Sequence, residues 1–321
     1  MEDLGRLGGA GEHRNSTFYV TGTYRMMPLR YLQMDVFADR PGAGNPLGAV
    51  IEGERFDPAQ MQAFAAWTNL SESIFLLPPT APDADYRVRI FTPRQELPFA
   101  GHPSVGGAWA ALDSGLVLPD KTRLVQECAA GLLPVHIEYR DGKRLPHVRA
   151  PHARRIGGIE LAPMLLQAAI RNMRVDAFEH AVLEHALWDN GPRWWLIELA
   201  DADAVRSLQP DLAAIAALTQ ATGAVGLAVH AADERDGHHL AVRAFCPADN
   251  IPEDPVTGSA QASIGARLAA VGRLPGGNDV YVGSQGRELG RDGRVTVRID
   301  AEGEVWIGGE VQAVIRGEVM W

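Results

Sequence analysis

The sequence is poor in the features that announce the common chemistries. Only two of its 321 residues are cysteine, Cys128 and Cys246, and neither stands in a CxxC pair. That excludes a disulfide framework and a thiolate zinc site, and it points to a reducing, cytoplasmic location. No apolar run is long enough to span a bilayer, and the first residues lack the basic start and apolar stretch of a secretory signal. Lys and Arg number 30 against 40 Asp and Glu, a net charge of −10, and they form no basic stripe. A nucleic-acid partner is therefore not expected. HExxH, GxSxG and Walker A are absent. The nearest approach to a dinucleotide fingerprint, Gly42 to Gly48, has the wrong spacing and a proline where a helix should open. No metal and no cofactor is expected.

What is present describes an ordinary soluble enzyme-sized chain. Hydrophobic residues make up 46% and glycine contributes 34 residues, a composition rich in strands and turns. The length exceeds what one core usually serves, so two domains are expected: residues 28–152 and 153–321, after an extension over 1–27, with the last strand packing back on the first domain. Strands are predicted from Leu29 to Ala38, Leu47 to Ile51, Ile74 to Leu77, Tyr86 to Phe91 and Leu133 to Tyr139. Further strands fall at Trp194 to Ala200, Gly226 to Ala231 and His239 to Phe245, and hairpins fill the tail from Val280. Asp57 caps a helix with Pro58 in its first turn. Helices are also predicted over Ala162 to Arg171 and Ala202 to Ala221.

Two further helices are unusual. Gly101 to Leu112 and Thr257 to Val271 are small or apolar on most faces, which predicts helices buried all round and wrapped by strands. Each follows the same approach, Arg89-Ile-Phe-Thr-Pro93 in one case and Arg243-Ala-Phe-Cys-Pro247 in the other, so the segments Arg89 to Ser104 and Arg243 to Ser259 read as an internal repeat. Each loop carries titratable groups (Glu96 and His102; Glu253 and Asp254) and ends in a glycine at a helix start. Free N–H groups and the helix dipole there favour an anion; plain capping by Thr257, Ser259 or Asp254 explains the second loop equally well. Glu72 opens an apolar strand, where desolvation would raise its pKa and poise it for proton transfer. An ordinary exposed loop glutamate is the alternative. His238-His239 reads as a solvated hairpin tip and the tryptophans as core.

With these segments in view, the sequence resembles the PhzF-like (phenazine biosynthesis) family of the diaminopimelate-epimerase-like fold group. The matching words are MDVFADRPGAGNPLGAV, NLSESIFLLP, RIFTPRQELPFAGHPSVGGAWA and RAFCPADNIPEDPVTGSAQASIGARLA, in family order. The resemblance implies an α+β fold of two similar domains, each a curved, mostly antiparallel sheet or barrel around a central helix, with the active site in the cleft between them. It implies a homodimer and cofactor-independent acid/base proton transfer on a small anionic carboxylic acid. It assigns Glu72 as the proton carrier, His102 and Asp254 as groups that orient the substrate, and Gly101, Gly258 and Ser259 at the helix starts as its carboxylate cradle, with Asn45 lining the cleft. Gln261 and Asn250 depart from the family pattern beside the site and leave the substrate open. Cysteines are missing from both helix starts, which argues against a two-cysteine epimerase. An epimerase, racemase or lyase on the same scaffold, or a non-catalytic binding protein, are the competing expectations.

Overall fold

A computed structural model describes residues 28–156, 168–169, 182–277 and 279–321. The first half of the chain contributes strands β1 (Leu29–Val36), β2 (Asn45–Val50), β3 (Glu72–Leu77), β4 (Tyr86–Phe91), β5 (Glu96–Leu97), β6 (Arg123–Cys128), β7 (Gly131–Arg140), β8 (Lys143–Arg149) and β9 (Arg154–Ile156). The second contributes β10 (Val182–Asp189), β11 (Arg193–Leu199), β12 (Gly226–Ala232), β13 (Leu240–Cys246), β14 (Ile251–Asp254), β15 (Val280–Gln285), β16 (Gly293–Ile299), β17 (Val305–Gly308) and β18 (Val311–Val319). Helices among the described residues include α1 (Pro58–Thr68), α2 (Gly101–Asp113), α3 (Ala202–Ser207), α4 (Leu212–Thr222) and α5 (Gly258–Ala270).

The repeat seen in a few words of sequence extends to the whole ladder. From β1 the pairings run β1–β2 antiparallel, β2–β3 parallel, β3–β4 antiparallel, β4–β6 parallel, then β6–β7 and β7–β8 antiparallel. From β10 the same sequence recurs through β11, β12, β13, β15, β16 and β17. The short strands β5 and β14 hang as hairpins on β4 and β13. The two ladders join where β8 meets β17. The strand that follows each ladder crosses to the other: β9 pairs with β10, and β18 pairs with β1.

A helix passes through each ladder. Every residue of α2 except Trp109 and Asp113 is buried, and the helix packs against β1 to β4, β6 and β8. In α5 only Ala266, Ala269 and Ala270 escape burial. Small residues are required because the strands close in on the helix backbone. A Cβ at Gly106 would lie 2.4 Å from a Leu47 methyl, and one at Gly265 2.8 Å from a Val297 methyl.

The echoed approach strands also share a device. Arg89 grips Glu96 through Nε and Nη2 at 2.7 and 2.6 Å, and Arg243 grips Glu253 the same way at 2.9 and 2.8 Å. Each guanidinium stacks on the phenylalanine two residues on, Phe91 or Phe245, at 5.1 Å. Such two-point charge-assisted pairs fix the hairpin geometry. This explains Glu96 and Glu253, which the sequence left as candidate titratable groups: both are tied up in holding the loops.

The structure departs from the sequence reading in a few places. The helix expected over Ala202 to Ala221 is two helices, α3 and α4, interrupted around Pro210, with Asp211 capping the second through Ala214. His238 is not a solvated tip. It is buried, with Nε2 2.9 Å from Asp233 and Nδ1 2.6 Å from an Arg294 nitrogen. The helix expected over Ala162 to Arg171 lies almost entirely outside the described residues.

The two Arg–Glu forks differ in burial, and that sets a test. Arg243 and Glu253 are nearly enclosed, and Arg243 also donates to the carbonyls of Val205 and Leu208 at 3.3 and 2.7 Å, whereas Arg89 and Glu96 are partly exposed. Arg243→Met strands a buried carboxylate and should cost about 3–5 kcal/mol. Arg89→Met should cost about 1 kcal/mol or less. Urea unfolding midpoints of the two variants check the difference.

Candidate active site

The α2 and α5 N-termini abut. A Cβ on Gly101 would stand 2.7 Å from Gly258 Cα, and one on Gly258 2.9 Å from Gly101 Cα. Only glycine permits backbones this close. Neither helix start receives a side-chain cap: Ala100 has nothing to offer, and Thr257 turns its hydroxyl to Asp254 instead. Capping, the bland explanation of the second loop, is therefore not what these residues do. Two sets of unpaired backbone N–H groups, with their positive dipole ends, meet at one place.

A pocket opens there. Its walls include Gly101, His102, Gly258 and Ser259 from the helix starts, Glu72 from β3 and Asp254 from β14. All three proposed acid/base and orienting groups are thus brought together, although 182 positions of sequence separate the outermost two (254 − 72). Glu72 Oε2 lies 3.4 Å from His102 Nε2, and neither atom has a hydrogen-bond partner. Burial first, then the charges of Asp254 and Asp249, holds the Glu72 carboxyl well above the usual carboxylate range. Burial pushes His102 down to about 3, so its imidazole is neutral. Burial thus disfavours the charged form of both members of this pair.

Asp254 is held differently. Its Oδ1 accepts from Asn45 Nδ2 at 3.0 Å and its Oδ2 from the Thr257 hydroxyl at 2.5 Å. Burial lifts its pKa to about 6 against the pull of those two hydrogen bonds. Asn45 is itself fully buried and also donates to Val256 O at 2.9 Å. The resemblance has it lining the cleft, but it is not among the residues that line the pocket; it fixes Asp254 from behind. Ser259 accepts from Trp194 Nε1 at 3.1 Å, and Asn190 Nδ2 donates to its carbonyl at 2.9 Å. With one lone pair taken by the indole, the Ser259 hydroxyl keeps its own proton to give to an acceptor in the pocket.

Several participants were not found from sequence. Trp194, read as core, lines the pocket; only its place at the head of an apolar strand was visible. Gln285 clamps the Asp254–Thr257 turn, donating to Asp254 O at 3.0 Å and Thr257 Oγ1 at 2.9 Å while accepting from Thr257 N at 3.0 Å. Nothing in the surrounding sequence signals it. Cys246, set apart from the helix starts in the sequence reading, also lines the pocket. Burial, then the charges of Asp254, Asp249 and Glu72, holds its thiol well above the ordinary value, so it is no thiolate base. Of the departures from the family pattern, Gln261 is buried behind the site against Gln285 at 3.3 Å, and Asn250 is exposed in the left-handed region at φ 66. That conformation suits glycine best and asparagine next, which explains the exchange.

Comparison with known proteins identifies the family. The family described as phenazine biosynthesis-like protein, PhzC/PhzF, matches residues 34–317. The chain is 34% identical over 281 residues to the trans-2,3-dihydro-3-hydroxyanthranilate isomerase of Pseudomonas aeruginosa, covering 86% of this chain and 92% of that one. It is 30% identical over 293 residues to the Schizosaccharomyces pombe protein named antisense-enhancing sequence 1, covering 90% and 97%. The crystal structure of a PhzF-family phenazine biosynthesis protein from Bacillus anthracis superposes with a TM-score of 0.76 at 25% identity, covering 92% of this chain and all of that one. The chain belongs to the PhzF-like family, a family of isomerases, and has the diaminopimelate-epimerase-like fold.

The neutral His102 sets a pH test. Unfolded, its imidazole takes a proton near 6.5; folded, it does so only near 3. The unfolded state binds more protons between those values, so this group makes stability fall as pH drops from 6.5 towards 3. The raised carboxyls of Glu72 and Asp254 contribute the opposite slope, and they do so in both proteins compared. His102→Gln should therefore show a flatter acid limb than the unmodified protein when unfolding free energy is measured across that window.

Proposed function

We propose that the protein is an isomerase that moves a proton between carbon atoms of a small, cyclic carboxylic acid, with Glu72 as the group that removes and returns it. The observation that carries this reading is the meeting of two uncapped helix starts, at Gly101 and Gly258, beside a desolvated Glu72. The amides and the Ser259 hydroxyl bind the substrate carboxylate and stabilise the enolate-like charge that develops when the adjacent C–H proton leaves. Glu72 takes that proton as carboxylate and gives it back at another carbon as acid. Its raised pKa makes the carboxylate a stronger base. His102 keeps the Glu72 carboxyl in place without adding charge. Asp254, with its oxygens directed by Asn45 and Thr257, accepts a hydrogen bond from a substituent of the substrate.

A single movable proton favours isomerisation over two-base racemisation: Asp254 is pinned on both oxygens, and Cys246 is held as a thiol. Because the Pseudomonas relative is named for trans-2,3-dihydro-3-hydroxyanthranilate, that compound is the first candidate substrate. In deuterated water the unmodified protein should place deuterium at one ring carbon of a product whose double bond has moved. Glu72→Gln should lose about 10²- to 10⁴-fold in that rate with an unchanged circular dichroism spectrum. Full activity in the variant would remove Glu72 from the mechanism.

By likeness to the family we also read the protein as a cytoplasmic homodimer. Sedimentation velocity should give twice the chain mass; a species at the chain mass across micromolar concentrations would overturn the dimer.

A further inference from the structure

Three carboxylates face the pocket, and each stands differently towards the protein. Asp254 is held by Asn45 and Thr257, and Glu72 faces His102. The third, Asp249, sits in the short helical turn Pro247–Asp249 between β13 and β14, half-buried in the pocket wall. Its side chain makes no hydrogen bond and no ion pair among the described residues. Arg94, from the equivalent loop of the first half, reaches the same turn but donates to the Ala248 carbonyl at 3.0 Å instead. Burial raises the Asp249 carboxyl, and the charge of Arg94 only partly offsets it. Among the described residues no lysine or arginine lines the pocket, and its histidine is neutral. A carboxylate that lines the pocket with no donor from the described residues is open to accept one from a bound molecule.

We propose that Asp249 is a substrate-positioning and specificity-determining residue of this pocket, accepting a hydrogen bond from an ammonium or hydroxyl substituent of the bound carboxylic acid. This rests on the isomerase reading for the identity of the site but not on the role of Glu72. The helix starts receive the carboxylate and Asp249 receives a donor elsewhere on the same molecule, so the pocket selects acids that carry both. An acid with no donor beyond its carboxylate leaves Asp249 unpaired and gains nothing from it.

Binding separates this from catalysis. Isothermal titration calorimetry at neutral pH would compare 3-hydroxyanthranilate, which has a carboxylate, an amine and a hydroxyl, with benzoate, which has the carboxylate alone. Asp249→Asn should weaken 3-hydroxyanthranilate by about 10- to 100-fold, the value of a hydrogen bond to a charged group, and change benzoate by less than about 3-fold. Asp249→Glu should recover part of the loss. Equal weakening of both ligands would mark Asp249 as merely structural and overturn the proposal. So would unchanged binding of 3-hydroxyanthranilate, or failure of the unmodified protein to prefer it over benzoate. The Glu72→Gln exchange rate is read independently: its failure with these binding results intact would sink the proton shuttle and leave the role of Asp249 standing.

Discussion

The architecture depends on a backbone contact with almost no room in it. Gly101 and Gly258 come so near that a methyl group on either would strike the other's main chain. Two helices can meet end to end at that distance only if neither start carries a side chain in between. The same requirement leaves both starts without caps. Packing and chemistry are therefore one constraint: the glycines that allow the helices to meet also leave both helix starts without a side-chain cap beside the pocket.

Around that contact the polar groups divide into those that line the pocket and those that hold the others still. Asp254 is directed by Asn45 from the first half of the chain and by Thr257 from its own loop, and Gln285 braces the loop from β15. Trp194 and Asn190 hold Ser259. Farther out, the Arg89–Glu96 and Arg243–Glu253 forks set the hairpins from which the loops spring. Each layer is anchored by charge-assisted or buried hydrogen bonds, which keep the pocket groups in fixed positions.

Much of this was legible in the sequence because it is written locally. The two small-residue helices announce their burial, Asp57 and Pro58 announce α1, and the echoed words around Arg89 and Arg243 announce a repeat. Glu72, His102 and Asp254 came from the resemblance of short motifs, and the fold brings them to one pocket. What was not legible depends on distance. Asn45 reaches Asp254 across 209 positions, and no local pattern says that a buried asparagine will serve a remote carboxylate. Gln285 stands at the end of an unremarkable strand. Trp194 opens an apolar run as a core residue does, and only the folded position of Ser259 gives its indole N–H a purpose. Glu96 and Glu253 looked like chemistry because a sequence shows charge but not the arginine that neutralises it.

The crossing strands have a consequence for how such a molecule is put together. β9 leaves the first ladder to lie beside β10, and β18 leaves the second to lie beside β1. Each half thus lends its ninth strand to the other and receives one in return. This is the geometry of an exchanged dimer, with both copies written into a single polypeptide. A half expressed alone would keep an orphan strand and an open sheet edge, and the simplest way to satisfy both is to pair with another copy of itself. The present chain can be seen as that pair made permanent. The two copies are not identical where they meet: one has a histidine after its glycine and the other a serine, so a near-symmetric ladder surrounds an asymmetric pocket.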